Sequence, residues 1–195
     1  MELVKTYPHS LTSEVCERII RIFERLPKRE GVVGGGLIPD IKKTMDAHSE
    51  HKCYVEDNEW RMVENVIRKE LTAKLELYLY DINKGEVLPN NFFPKPVPMM
   101  DAGFQIQRYT ANEGDYKFHQ DFNMRDGNQH RIITYLWYLN DVADGGETQF
   151  YDGSLIVPEQ GKLLLFPSLW SYPHRGVMPL SNDKYIMTGW VYSQI

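Results

Sequence analysis

His119-Gln120-Asp121, with His174 and Lys184 further along, are the residues of this chain best placed to do chemistry. Side chains alternate faces along an extended strand, so the first and third residues of a His-x-Asp project from the same side. They can give one nitrogen and one oxygen donor to a single metal ion. If His174 folds in from a distant strand, two imidazoles and a carboxylate take one face of an octahedral ion and leave three positions open. An ion held that way accepts a chelating ligand and still admits a small molecule. Lys184 is the cation that would answer a carboxylate on whatever binds there.

Taken singly, these residues have plainer readings. His119 and Asp121 fit a surface turn closed by a local His–Asp hydrogen bond, and His174 fits a core or loop histidine. The context favours the metal reading. Tyr116-Lys117-Phe118-His119-Gln120-Asp121 is a strand-like alternation that ends in the motif, and His174 lies just past an apolar run capped by Phe166-Pro167-Ser168. In Lys184 through Trp190 the even positions share a face, so Lys184, Ile186, Thr188 and Trp190 point one way. If that face lines an interior, the ammonium is buried and calls for an anion, because breaking a buried ion pair costs about 3–5 kcal/mol. Periodicity allows equally that Lys184 starts an edge strand and faces solvent.

Other candidates are weaker. His48-Ser49-Glu50-His51 has a similar spacing, but it sits among Lys42, Lys43, Asp46 and Lys52 without alternation and reads as a solvated loop, as do His9 and His130. Gly34-Gly35-Gly36 lacks the Lys-Ser/Thr of a phosphate loop and the strand-to-helix setting of a dinucleotide fingerprint, and reads as a mobile loop. No Gly-x-Ser-x-Gly elbow is present, and Cys16 sits beside a helix stripe, so nucleophilic hydrolysis has no evident start.

The elements that must position these groups follow from spacing. Leu11-Thr12-Ser13-Glu14 is a capped helix start, followed at helical intervals by Val15, Ile19, Ile22, Phe23 and Leu26, with Pro27 at its end. A second helix starts near Asp57 or Asn58, buries Trp60, Val63, Ile67, Leu71, Leu75, Tyr78 and Ile82, and stops at Gly85. Between them, 31–53 is polar and glycine-rich, with a short strand predicted from Gly36 to Ile41. Pro89, Pro94, Pro96 and Pro98 deny 85–101 both a helix and a central strand. From Gly103 onward, alternating runs predict strands over 104–109, 117–121, 131–139, 148–151, 155–157, 162–166, 175–179 and 184–192. The fold expected is α+β but mainly β: a double-stranded β-helix, a jelly-roll or cupin-like core, with the N-terminal helices packed on one sheet.

With 195 residues, 42% apolar and 12% aromatic, the chain can bury one substantial core. The expectation is a single domain over 1–195, with 1–100 as helical support and substrate loops and 101–195 as the jelly-roll catalytic core. The net charge of −5 comes from 22 basic and 27 acidic residues that are well mixed, so no nucleic-acid footprint stands out. The first residues have neither a secretion signal nor the length of a membrane span, and Cys16 and Cys53 make no Cys-x-x-Cys. These readings lead to an expectation of a cytoplasmic protein that binds neither nucleic acid nor membrane, with its oligomeric state open.

With these residues assembled, 104–192 resembles the Fe(II)- and 2-oxoglutarate-dependent dioxygenases, and among them the prolyl 4-hydroxylase group. The matching segments are Gln107-Arg108-Tyr109, Phe118-His119-Gln120-Asp121, Tyr138-Leu139-Asn140, Gly145-Gly146-Glu147-Thr148, Leu165-Phe166-Pro167, His174, and Lys184 through Trp190. The resemblance implies that His119, Asp121 and His174 hold iron and that Lys184 binds the far carboxylate of 2-oxoglutarate, the cosubstrate. It implies further that Tyr109, Tyr138 and Thr188 line the cosubstrate pocket, with Trp190 packed beside it and a hydroxyl from Tyr109 or Thr188 helping Lys184. Lysine rather than arginine at 184 points to the prolyl hydroxylase side, and a carboxylate at 121 to hydroxylation rather than halogenation. The activity implied is an oxidoreductase, with ascorbate as reductant, that hydroxylates a prolyl residue of a peptide or protein. A free amino acid or other small molecule is the alternative substrate. A jelly-roll module that binds metal and 2-oxoglutarate without turnover is the competing class, and a demethylase of nucleic acid or protein is a third reading.

Overall fold

The computed structural model describes residues 2–33, 36–82, 103–125 and 129–194. The chain begins with β1 (Lys5–Tyr7) and α1 (Ser13–Arg25). The Thr12 side chain caps α1 by accepting from the Val15 N–H, and the buried face of the helix is Cys16, Ile19, Ile22 and Phe23. After β2 (Arg29–Glu30), β3 (Met45–His48) and the short α2 (Lys52–Val55) comes α3 (Asn58–Ile82). Its first turn is tied by Asp57 Oδ1, which accepts from the Trp60 N–H at 2.8 Å. Trp60, Val63, Ile67, Leu71, Leu75 and Tyr78 are its buried stripe, as the 3.6-residue period requires.

Both helices fall where spacing predicts them, but the strand between them does not. The predicted 36–41 segment is a turn: the Ile38 carbonyl accepts from the N–H groups of Ile41 and Lys42, and Pro39 can donate nothing to a ladder. The strand is β3 instead, where Met45 and Ala47 alternate with polar neighbours over only four residues. The glycine run at 34–35, the helix stop at Gly85 and the proline-rich 85–101 segment lie outside the described residues.

The remaining strands are β4 (Gln105–Tyr109), β5 (Tyr116–His119), β6 (Met124–Arg125), β7 (Gln129–Tyr138), β8 (Thr148–Phe150), β9 (Leu155–Ile156), β10 (Leu163–Pro167), β11 (His174–Gly176) and β12 (Lys184–Gln194). One of them falls on each of the eight stretches that alternation predicts. Two antiparallel sheets result, in the order β1-β10-β7-β12-β4-β3-β2, with β6 on β7, and in the order β5-β11-β8-β9. The N-terminal half is therefore more than helical support, since it supplies three strands of the larger sheet.

Alternation divides that larger sheet cleanly. Tyr135 and Trp137 of β7, Leu163 and Leu165 of β10, and Met187 of β12 face outward and pack with Ile19, Ile22, Phe23, Trp60 and Ile67 of the helices. The intervening residues, Leu136, Tyr138, Leu164, Phe166 and Ile186, face inward and meet Tyr109 and Phe150. The helices seal one face, and the other becomes the interior of a jelly roll.

The N-terminal segment is fastened at Gly161. Its φ is +79°, its carbonyl accepts from the Leu11 N–H at 3.1 Å, and a methyl group on its Cα would overlap the Leu11 carbonyl. Gly161→Ala is expected to lower stability by about 1–2 kcal/mol from the left-handed conformation alone. The displaced Leu11 segment adds to that. A thermal melt should show the midpoint falling by at least about 2–4 °C per kcal/mol lost, and an unchanged midpoint would contradict this account of the turn.

Candidate metal centre

The centre is assembled by two short strands of the smaller sheet. β11 runs antiparallel to β5 with His174 opposite His119, and to β8 with His174 opposite Phe150. A register shift between His174 and Gly176 puts Gly176 opposite Tyr116. Strict alternation is thereby broken on β5, and Tyr116 stacks flat on the His119 ring with centroids 3.6 Å apart. Asp121 lies just past the end of β5, so the carboxylate and both imidazoles converge without three separate strands.

Each imidazole is oriented by a backbone carbonyl. Nδ1 of His119 lies 2.8 Å from the Lys117 carbonyl oxygen and Nδ1 of His174 lies 3.2 Å from that of Tyr172. A carbonyl can only accept, so Nδ1 carries a proton in both rings, and Nε2 is the atom of each ring that faces Asp121. Those nitrogens lie 3.7 Å from Asp121 Oδ1 and Oδ2 respectively. The donor atoms of the three residues fall within 4.8 Å of one another, the one such group among the described residues. Burial, reinforced by the neighbouring His174, lowers the His119 pKa to about 4, so its ring is neutral at physiological pH. Burial alone would raise the Asp121 pKa, but His174, His119 and a hydrogen bond from Thr134 outweigh it and hold the carboxyl below its usual range. A neutral imidazole at His119 and a carboxylate at Asp121 are protonation states that a divalent metal demands.

The three residues line a cavity of about 240 Å³, together with the inward face of β12: Lys184, Ile186, Thr188 and Trp190. Lys184 is 1% exposed. Its Nζ donates to the Gly146 carbonyl at 2.9 Å and stands 4.1 Å from the centre of the Tyr109 ring. Among the described residues, no carboxylate comes within ion-pair distance of it. Burial lowers its pKa to about 7, and Glu147, farther off, offsets only part of that. A buried amine facing a cavity without a counter-ion is a receptor for an anion.

The other expected pocket residues differ in their disposition. Tyr109 lines the cavity, but its hydroxyl donates to Gln107 Oε1 at 2.9 Å, and the Thr188 hydroxyl donates to the Tyr135 carbonyl at 2.8 Å. In this arrangement both protons are given to protein acceptors rather than into the cavity. Tyr138 stands behind the wall, donating to Thr148 Oγ1 at 2.7 Å. Thr148 occupies the wall itself, in front of Tyr138. Sequence reasoning quoted Thr148 in a motif without giving it a task. It missed Arg131, whose guanidinium lies 3.5 Å from the Trp190 ring centre, and Thr134, which touches Asp121. Alternation along β7 carried the signal for Thr134. The solvated-loop reading of 48–51 is corrected at two residues: His48 ends β3 opposite Gln105, and Ser49 is buried with its Oγ accepting from the Phe104 N–H at 2.7 Å, while His48 and His51 stay outside the metal group.

Residues 104–192 match the family model described as the 2OG-Fe(II) oxygenase superfamily. Prolyl 4-hydroxylase subunit alpha-1 of Gallus gallus is 31% identical over 106 residues, 46% of this chain and 20% of that protein. The probable prolyl 4-hydroxylase 8 of Arabidopsis thaliana is 26% identical over 95% of this chain and 67% of its own length. A solved structure of the viral collagen prolyl hydroxylase from Paramecium Bursaria Chlorella virus-1, a 2OG complex, superposes with a TM-score of 0.67 at 18% identity, covering 98% of this chain and 96% of the other. At that identity the likeness establishes a shared fold. Residues 104–192 thus resemble the 2OG-Fe(II) oxygenase superfamily and, within it, the prolyl 4-hydroxylases, although the chain spans only about a fifth of the length of the Gallus gallus subunit.

That family implies Fe(II) and 2-oxoglutarate, and the residues present fit both: two aimed Nε2 atoms and a carboxylate for the metal, and a buried amine for a dicarboxylate. The Lys184 shift has a thermodynamic sign. Its folded pKa, about 7, lies below the unfolded value of about 10.4, so between them the unfolded chain binds the proton first. Folded stability from this residue is therefore greatest above the upper value, falls as pH drops through the window, and stays at its minimum below about 7. A bound carboxylate reverses the preference. At a pH inside this window, 2-oxoglutarate binding to the Mn(II)-loaded protein should take up close to one proton, read by calorimetry in buffers of different ionisation enthalpy. Lys184→Met should abolish the uptake and weaken binding by about 100-fold, the equivalent of roughly 3 kcal/mol. Equal proton uptake in both proteins would contradict the assignment of the amine.

Proposed function

We propose that this chain is an Fe(II)- and 2-oxoglutarate-dependent dioxygenase that hydroxylates C4 of a prolyl residue in a peptide or protein. The observation that carries the reading is the meeting, in one cavity, of the His119-Asp121-His174 donor set with the buried, acid-free amine of Lys184. The substrate is supported by the relatives, whose names are those of prolyl 4-hydroxylases and a collagen prolyl hydroxylase.

When bound, the iron and cosubstrate supply an oxidative decarboxylation in which dioxygen gives one oxygen atom to succinate and the other to a substrate carbon, with carbon dioxide released. The chain's residues set the stage for it. His119, Asp121 and His174 would hold the metal on one side and leave the cavity side open. Lys184 would fix the far carboxylate by a charge-assisted hydrogen bond, with the Thr148 hydroxyl, bonded to Tyr138, lining the same cavity. Ile186 and Leu136 give the cosubstrate's methylene groups an apolar bed and keep water away from it. Trp190, covered by the Arg131 guanidinium, walls the side nearest Asp121. Ascorbate is proposed as the reductant that returns oxidised iron to the ferrous state. A reducing cytoplasm is proposed as the setting, in keeping with the free thiols of Cys16 and Cys53.

With Fe(II), ascorbate and 2-oxoglutarate, the purified chain is expected to form succinate faster when a proline-rich peptide is present, and that peptide should gain one oxygen atom by mass spectrometry. A His119→Ala variant supplies the background. Succinate formation no faster than that background would count against catalysis, and succinate without peptide oxidation would count against the prolyl substrate alone.

A further inference from the structure

Asp121 is gripped from a direction the two imidazoles do not explain. Its Oδ2 accepts from Thr134 Oγ1 at 2.8 Å, and Thr134 Oγ1 lies 2.8 Å from Ser168 Oγ. Both hydroxyls are buried, each residue 1% exposed. A threonine hydroxyl has one proton to give and lone pairs to receive another. The Asp121 carboxylate can only accept, so the Thr134 proton goes to Asp121 and the Ser168 proton to Thr134. The order Ser168, Thr134, Asp121 is thereby fixed as a one-way chain of hydrogen bonds.

The placement of the three residues gives this chain its meaning. Each histidine is oriented by a carbonyl two residues away on its own segment, Lys117 for His119 and Tyr172 for His174. Asp121 lies beyond the end of β5, outside its ladder, and is held from β7 in the other sheet: its backbone carbonyl accepts from the Arg131 guanidinium at 3.4 Å, and its carboxylate from Thr134. Ser168 follows β10 in the connection leading to His174, and its own N–H donates to the Ile132 carbonyl of β7 at 3.0 Å. The pair of hydroxyls thus links the carboxylate to the rigid large sheet and to the segment that delivers the distal histidine.

We propose that Thr134, oriented by Ser168, is a positioning residue that sets the Asp121 carboxylate in its metal-binding orientation, so that metal affinity depends on a hydroxyl at position 134. The proposal rests on the reading of His119, Asp121 and His174 as the metal ligands. Outer hydrogen-bond partners of metal ligands contribute about 10–100-fold in affinity, and Thr134 should fall in that range. Valine at 134 keeps the shape of the side chain and removes the donor, leaving a buried carboxylate oxygen short of a partner.

The test is Mn(II) titration of the full chain, with free Mn(II) followed by electron paramagnetic resonance, for the wild type, Thr134→Val, Thr134→Ser, Ser168→Ala and Asp121→Ala. Circular dichroism and a thermal melt check each fold. Thr134→Val is expected to weaken binding by about 10–100-fold, Thr134→Ser to restore it to near the wild-type value, and Ser168→Ala to cause a smaller loss. Should Thr134→Val prove unfolded, the loss in Ser168→Ala against its absence in Thr134→Ser decides the matter. Wild-type affinity in Thr134→Val beside a crippled Asp121→Ala would overturn the tether alone, as would a serine variant as weak as the valine one. Wild-type affinity in Asp121→Ala would overturn the ligand assignment and this proposal with it.

Discussion

β5 and β11 lie side by side with His119 opposite His174, and the whole site is arranged around that pairing. Backbone hydrogen bonds set the distance between the two imidazoles, whose ring centres are 4.3 Å apart, and carbonyls two residues upstream set their tilt. A shift of one residue in this ladder would turn one histidine to the outer face of the sheet, because side chains alternate with a period of two. The irregularity between His174 and Gly176 belongs to the same arrangement. It brings Tyr116 onto the inner face to stack on His119, and it lets Gly176, which has no side chain, lie against the Tyr109 ring.

The larger sheet contributes a different kind of constraint. β12 lies between β7 and β4, so Lys184 at the inward face is 1% exposed and held in an interior that penalises its charge. The pair of sheets thus creates two complementary demands about one cavity: donor atoms that want a cation on one wall, and an amine that wants an anion on another. A metal chelated by a dicarboxylate meets both at once. Neither demand is met by the surrounding side chains, in contrast with the buried Lys42, which is neutralised by Asp46 at 2.6 Å on the same side of the fold.

Sequence periodicity was informative wherever one face of an element is buried and the other is not. The α3 stripe from Trp60 to Tyr78 and the alternation of Lys184 to Trp190 could be read directly, and His-x-Asp announced its own geometry. Periodicity failed at β3, where Met45 and Ala47 alternate with Asp46 and His48 over only four residues, too short a run to stand out, and pairing with β4 and β2 makes it a strand. It also left Lys184 undecided between cavity and solvent, since that choice depends on β12 lying in the middle of a sheet rather than at its edge. Hydroxyl commitments were out of reach altogether. Whether Tyr109, Tyr138, Thr188 or Thr148 can donate to a ligand depends on partners far away in the chain, such as the Tyr135 carbonyl for Thr188. Thr134 and Ser168, 34 residues apart, belong to the same class.

Anomalous diffraction from crystals grown with Mn(II) and 2-oxoglutarate bears most directly on the account. A single metal peak should lie in coordination contact with Nε2 of His119, Nε2 of His174 and the Asp121 carboxylate, with the cosubstrate's distal carboxylate against Lys184 Nζ. A metal peak elsewhere, or a dicarboxylate turned away from Lys184, would contradict it.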